Sequence, residues 1–83
     1  MSEIERLSDM EIGERAVVRE LLSDESIRRR LLDMGMIEGT VVECVGKSPA
    51  KDPCAYLVRG AVIAIRIKDG DKVLIERGEA LWD

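Results

Sequence analysis

The feature that most constrains this chain is its punctuation: short apolar runs rich in β-branched residues, separated by glycines. Residues 16–21, 40–45, 55–58, 61–67 and 73–75 are such runs, and this composition favours pleated strands over helix. Gly13-Glu14, Gly39, Arg59-Gly60 and Asp69-Gly70-Asp71 fall between them as turns, with Gly60 supplying the positive φ of a tight hairpin. In the run 61–67, Ala61, Ile63, Ile65 and Ile67 share one face, and Val62, Ala64 and Arg66 the other. Only one segment has helical spacing. Ile27, Leu31, Leu32 and Met34 are interleaved with Arg28, Arg29, Arg30 and Asp33, behind Ser23 and Asp24 as N-caps. Gly35 then ends the helix in a left-handed conformation, so that Met36 packs back on Leu31 in a Schellman arrangement. Leu7 to Met10 reads as a single helical turn. Five strands with one helix inserted after the first predict a mainly β fold, a small, partly open, five-stranded SH3-like barrel whose near-closure leaves little exposed edge.

A chain of 83 residues supports one core, not two. Residues 1–83 therefore read as a single domain with an acidic leader over 1–6 and a tail over 77–83. That core must be aliphatic, because the chain has no Phe and its aromatics are Tyr56 and Trp82. The net charge of −4 is concentrated in the first fourteen residues, where five acids face Arg6 alone, while the remainder is balanced. An acidic chain lacks the electrostatic attraction that dominates binding to phosphate backbones, which argues against a nucleic-acid partner. No basic segment followed by an apolar run opens the sequence, and the apolar stretch 61–65 is far too short to span a bilayer. A cytoplasmic location, with no direct membrane insertion, is the expectation. There Cys44 and Cys54 stay reduced.

Few residues invite chemistry. Gly46-Lys47-Ser48 echoes the end of a phosphate-binding loop, but the first glycine of that motif would fall on Val41, and Pro49 follows instead of a helix. With no histidine, the commonest general base and nitrogen ligand are missing. Cys44 and Cys54 lack the paired spacing that fixes a metal site and read as small buried hydrophobes. Neither a catalytic residue nor a cofactor is assigned, and the chain is not read as an enzyme. Arg28-Arg29-Arg30 reads mainly as a solvated helix face paired with Asp24, Glu25 and Asp33. Polyproline recognition needs more aromatics than Tyr56 and Trp82.

The segment Arg30-Leu31-Leu32-Asp33-Met34-Gly35-Met36-Ile37-Glu38-Gly39-Thr40 resembles the hallmark of the FeoA family, ferrous iron transport protein A. Leu7, Gly13-Glu14, Pro49, Asp52-Pro53, Arg59-Gly60 and Ala64-Ile65-Arg66 lie around it as further markers. The resemblance runs from about Leu7 to Ile75. It departs from the family pattern at Lys51, where the loop commonly has glycine, and at Lys68-Asp69-Gly70-Asp71, which replaces a more helical connection. What it implies is an SH3-like domain working in the cytosol with FeoB, a membrane ferrous iron transporter bearing a G-protein domain. The expected function is docking onto FeoB's cytosolic region in support of iron uptake, with no iron or nucleotide bound by the domain itself.

For the docking surface the expected residues are Arg28, Arg29, Met36, Ile37, Lys51, Asp52 and Trp82, because apolar loop residues and fixed prolines near charges make specific surfaces. Trp82 is included as a terminal anchor of a residue type enriched at binding hot spots. Gly35, Gly39, Gly60, Pro49 and Pro53 are assigned to backbone geometry. Two competing readings are a GTPase-activating role, with one of Arg28 to Arg30 inserted in trans, and a module that contacts a metal-dependent transcription regulator.

Overall fold

The computed structural model describes residues 3–22 and 24–77. Its strands are β1 (Glu3–Arg6), β2 (Arg15–Leu21), β3 (Val41–Lys47), β4 (Cys54–Val58), β5 (Ala61–Ile65) and β6 (Val73–Arg77), with helices α1 (Glu25–Asp33) and α2 (Ile67–Gly70). All neighbouring strands are antiparallel, in the order β1-β6-β2-β3-β4-β5. The fold is mainly β, as expected, but it differs from the sequence reading in two places. The acidic leader forms β1, a sixth strand paired with β6 from Glu3↔Arg77 to Arg6↔Leu74. The run after Gly60 stops at Ile65, and a one-turn helix over Ile67–Gly70 stands where a turn at Asp69-Gly70-Asp71 was expected.

The sheet curls around one aliphatic core. Val73 and Ile75 of β6 share a cluster with Tyr56 and Val58 of β4 and Ile65 of β5, together with Leu7, Met10, Leu31 and Met36. Two register shifts help the curl, one between Val18 and Glu20 and one between Cys44 and Gly46, since a bulge bends and twists its strand. Among the described residues no ladder joins β1 to β5, which leaves the barrel partly open. On that side the buried Tyr56 hydroxyl donates to the Leu7 carbonyl at 3.2 Å, linking β4 to the 3-10 turn Leu7–Asp9.

The turns follow the predicted chemistry. Gly35 N–H donates to Leu32 O and Met36 N–H to Leu31 O, both at 3.0 Å, the bond pair of a Schellman motif. Gly35 has φ +100°, and Leu31 and Met36 are fully buried. Asp24 is the N-cap, accepting the Ile27 N–H at 3.1 Å, whereas Ser23 lies outside the described residues. At the β4–β5 hairpin both central residues have positive φ, Arg59 at 51° and Gly60 at 84°, as a two-residue type I′ turn requires.

Candidate functional site

The three arginines of α1 take different surroundings, because successive helical residues point about 100° apart. Arg30 turns toward α2 and donates to the Asp69 carboxylate at 3.2 Å. Arg29 lies 3.9 Å from Glu25, both well exposed, a pairing that contributes little. Arg28 is exposed and borders two neighbouring depressions. One, about 250 Å³, runs between β2 and the end of α1 past Leu21, Leu32, Ile37 and Glu38; the other, about 490 Å³, continues over the outer face of α1 past Glu25, Arg29 and Asp33. Leu32 (39% exposed) and Ile37 (40%) leave large apolar area in water beside these basic groups.

This surface collects three of the predicted docking residues, Arg28, Arg29 and Ile37. Met36 is different and corrects the expectation: its side chain is fully buried, because the Schellman turn aims it into the core. Lys51 and Asp52 stand elsewhere, in the exposed loop before β4. Lys51 has φ 66°, so it holds the left-handed conformation that glycine adopts at lower cost. The Asp52 carboxylate accepts the Ile67 N–H at 3.0 Å, which fastens this loop to the start of α2. The peptide bond between Asp52 and Pro53 is cis, and both Pro49 and Pro53 are exposed. Trp82 lies outside the described residues.

Sequence reasoning overlooked Leu32. The signal for Leu32 was present, since adjacent residues Leu31 and Leu32 cannot both face the core from a helix. It also missed that Arg30 and Asp69 join the two helices, a contact across 39 positions that no local pattern announces.

The rest of the molecule offers structural rather than chemical partners. Lys47 does not face an anion cradle: Gly46 and Lys47 belong to β3, and the Lys47 ammonium bonds Glu11 at 3.0 Å, which raises its pKa. Cys44 and Cys54 are buried free thiols, and desolvation pushes Cys44 up, away from the reactive thiolate. Among the described residues no three His, Cys, Asp or Glu side chains gather as a metal-binding group. No helix there is long and apolar enough to cross a membrane.

With the fold and surface defined, comparison with known proteins identifies the family. A family model described as the FeoA domain matches residues 5–77. A Porphyromonas gingivalis protein described as a Fe(2+) transport protein A/Fe(2+) transporter FeoB fusion is 30% identical over 71 residues, which are 86% of this chain and 8% of that one. This chain therefore spans a small part of that relative. Among solved structures, a FeoA-like protein from Clostridium acetobutylicum superposes with a TM-score of 0.82 at 29% identity, covering 90% of this chain and 87% of the other. FeoA of Stenotrophomonas maltophilia, solved with zinc and described as an SH3 domain protein, gives 0.76 at 26% identity, covering 88% and 95%. The match over residues 5–77, carried by an SH3-like fold, makes this chain a member of the FeoA family.

Proposed function

We propose that this domain is a cytosolic accessory of ferrous iron uptake that docks onto the cytosolic part of a FeoB-type membrane transporter and supports or regulates it. The observation that carries the reading is the relative in which a FeoA segment and FeoB form one polypeptide, because fusion keeps two partners at high effective concentration. The contact surface on this side is the outer face of α1 with the turn after it. Leu32 and Ile37 supply apolar area and Arg28 and Arg29 border it, a pattern of apolar centre and polar rim typical of specific interfaces. Lys51 and Asp52 would lie outside such a contact, and the domain itself carries neither iron nor nucleotide in this reading.

Calorimetry of this domain with the partner's cytosolic region, run with GDP and with a GTP analogue, tests the proposal. Saturable binding in at least one state is expected, and none in either would defeat it. A second reading is favoured by Arg28, which is exposed on the free face of α1 and could enter a partner's phosphoryl site. GTP turnover by the partner separates the two: stimulation lost in Arg28→Ala indicates an inserted arginine, and unchanged turnover with retained binding indicates docking alone.

A further inference from the structure

The two edges of the sheet are unlike. β1, with the sequence Glu-Ile-Glu-Arg, is short and charged, as protected edges are. β5, with the sequence Ala-Val-Ile-Ala-Ile, has no charge and no proline. Its two-residue turn fixes which backbone groups are free. Val58↔Ala61, Tyr56↔Ile63 and Cys54↔Ile65 take the hydrogen-bonded positions of the hairpin, so the N–H and C=O groups of Val62 and Ala64 point away from β4. β5 ends the strand order, and among the described residues no other strand pairs with it. Val62 is 64% exposed and Ala64 is exposed, while Ile65 is buried and Ile63 partly so. Two donors, two acceptors and an apolar outer face make this a template for an added strand.

The charges at its ends decide what kind of strand. Arg59 precedes β5, and Arg66 and Lys68 follow it, all exposed. Arg30 reaches from α1 into a groove of about 430 Å³ that Ala64, Arg66 and Lys68 also line, beside Met34. At the Arg66 end the carboxylates are already engaged, Asp69 by Arg30 at 3.2 Å and Asp52 by the Ile67 N–H at 3.0 Å, while at the other end Glu43 and Arg15 share a depression with Arg59. A second copy adding antiparallel would set Arg59 of one chain against Arg66 and Lys68 of the other, and these like charges oppose self-pairing. We infer that the β5 edge receives an extended segment of a partner protein, apolar in its middle and acidic at its ends, as a further strand of the sheet. This goes beyond docking through α1 and uses a different element, so either can fail alone.

The test is titration of the isotope-labelled full chain with two blocked heptapeptides, Glu-Thr-Val-Thr-Val-Thr-Glu and its twin with lysine at both ends. The acidic peptide is expected to shift the Val62 and Ala64 amides and slow their hydrogen exchange several-fold, with affinity falling as salt rises. Arg66→Glu with Lys68→Glu should reverse the preference toward the lysine peptide. Val62→Pro should abolish the response, because the lost N–H faces away from β4 and the hairpin keeps its bonds; if that variant loses its native amide pattern, the charge reversal decides. Equal response to both peptides, silence toward both, shifts confined to α1, or concentration-dependent shifts at Val62 and Ala64 without peptide would each overturn the inference.

Discussion

At the scale of single residues, the left-handed positions separate backbone strain from packing. Gly35 and Gly39 both have positive φ, but a Cβ on Gly35 would stand 3.0 Å from Val58 Cγ1, whereas one on Gly39 would meet nothing within 4 Å. Gly39→Ala should therefore cost about 1–2 kcal/mol, the left-handed penalty alone. Gly35→Ala adds overpacking against β4 and should cost about 2–4 kcal/mol. Urea melts of the two variants check the order, and equal losses would contradict it. Lys51 is the converse case, a side chain held at φ 66°, a conformation glycine adopts at lower cost. Lys51→Gly relieves about 1–2 kcal/mol of strain but frees the unfolded chain by about 0.4–1 kcal/mol. The variant should be neutral to about 1.6 kcal/mol more stable in the same melts. Tyr56 links stability to pH: burial raises its pKa above the ordinary value. A raised folded value means that its contribution is complete below the unfolded pKa of about 10 and is lost as pH climbs beyond it. Tyr56→Phe should flatten the stability profile above pH about 10 relative to the parent. Near neutrality it should cost only about 1 kcal/mol, because the Leu7 carbonyl keeps its bond from the Met10 N–H at 3.1 Å.

At the scale of elements, what could be read in advance was local. The α1 boundaries follow from Asp24 and Gly35, and the β4–β5 hairpin from Arg59-Gly60, because a cap or a tight turn is specified by neighbours in sequence. β1 escaped notice because it lacks an apolar pattern of its own. Ile4 is 59% exposed, and the strand is held by its ladder to β6 and by the ion pair of Glu5 with Arg77, 72 positions away. α2 escaped for a related reason: Asp52 caps it from a distant loop and Arg30 holds Asp69 from α1. Of the proposed docking surface, the charge on α1 shows in the sequence, but the burial of Met36 depends on a turn directing it inward. The Arg30 and Asp69 pair makes α2 depend on α1. A double-mutant cycle with Arg30→Gln and Asp69→Asn should give a coupling of about 0.5–1 kcal/mol, because Asp69 is buried while Arg30 keeps much of its side chain in water. A coupling indistinguishable from zero would mean that the bond does not join the helices in solution.

At the scale of the whole molecule, the core and the proposed α1 interface draw on different side chains, and this makes the interface separable from stability. Leu31 and Met36 are spent inside, while Leu32 and Ile37 retain 39% and 40% of their area in water. Covering that remainder would remove about 150 Å² of apolar surface, worth about 4 kcal/mol before the ordering costs of association. Leu32→Gln with Ile37→Gln should therefore weaken binding to the partner's cytosolic region by at least about tenfold, equivalent to about 1.4 kcal/mol. Folding stability should change by less than about 1 kcal/mol, since neither side chain belongs to the buried cluster and glutamine suits a helix as well as leucine. Calorimetric affinity and a urea melt on the same double variant give both numbers. Unchanged affinity with an unchanged melt would move the contact off α1. A melt that falls with the affinity would mean that these side chains serve the fold, and that the arginines beside them border no interface.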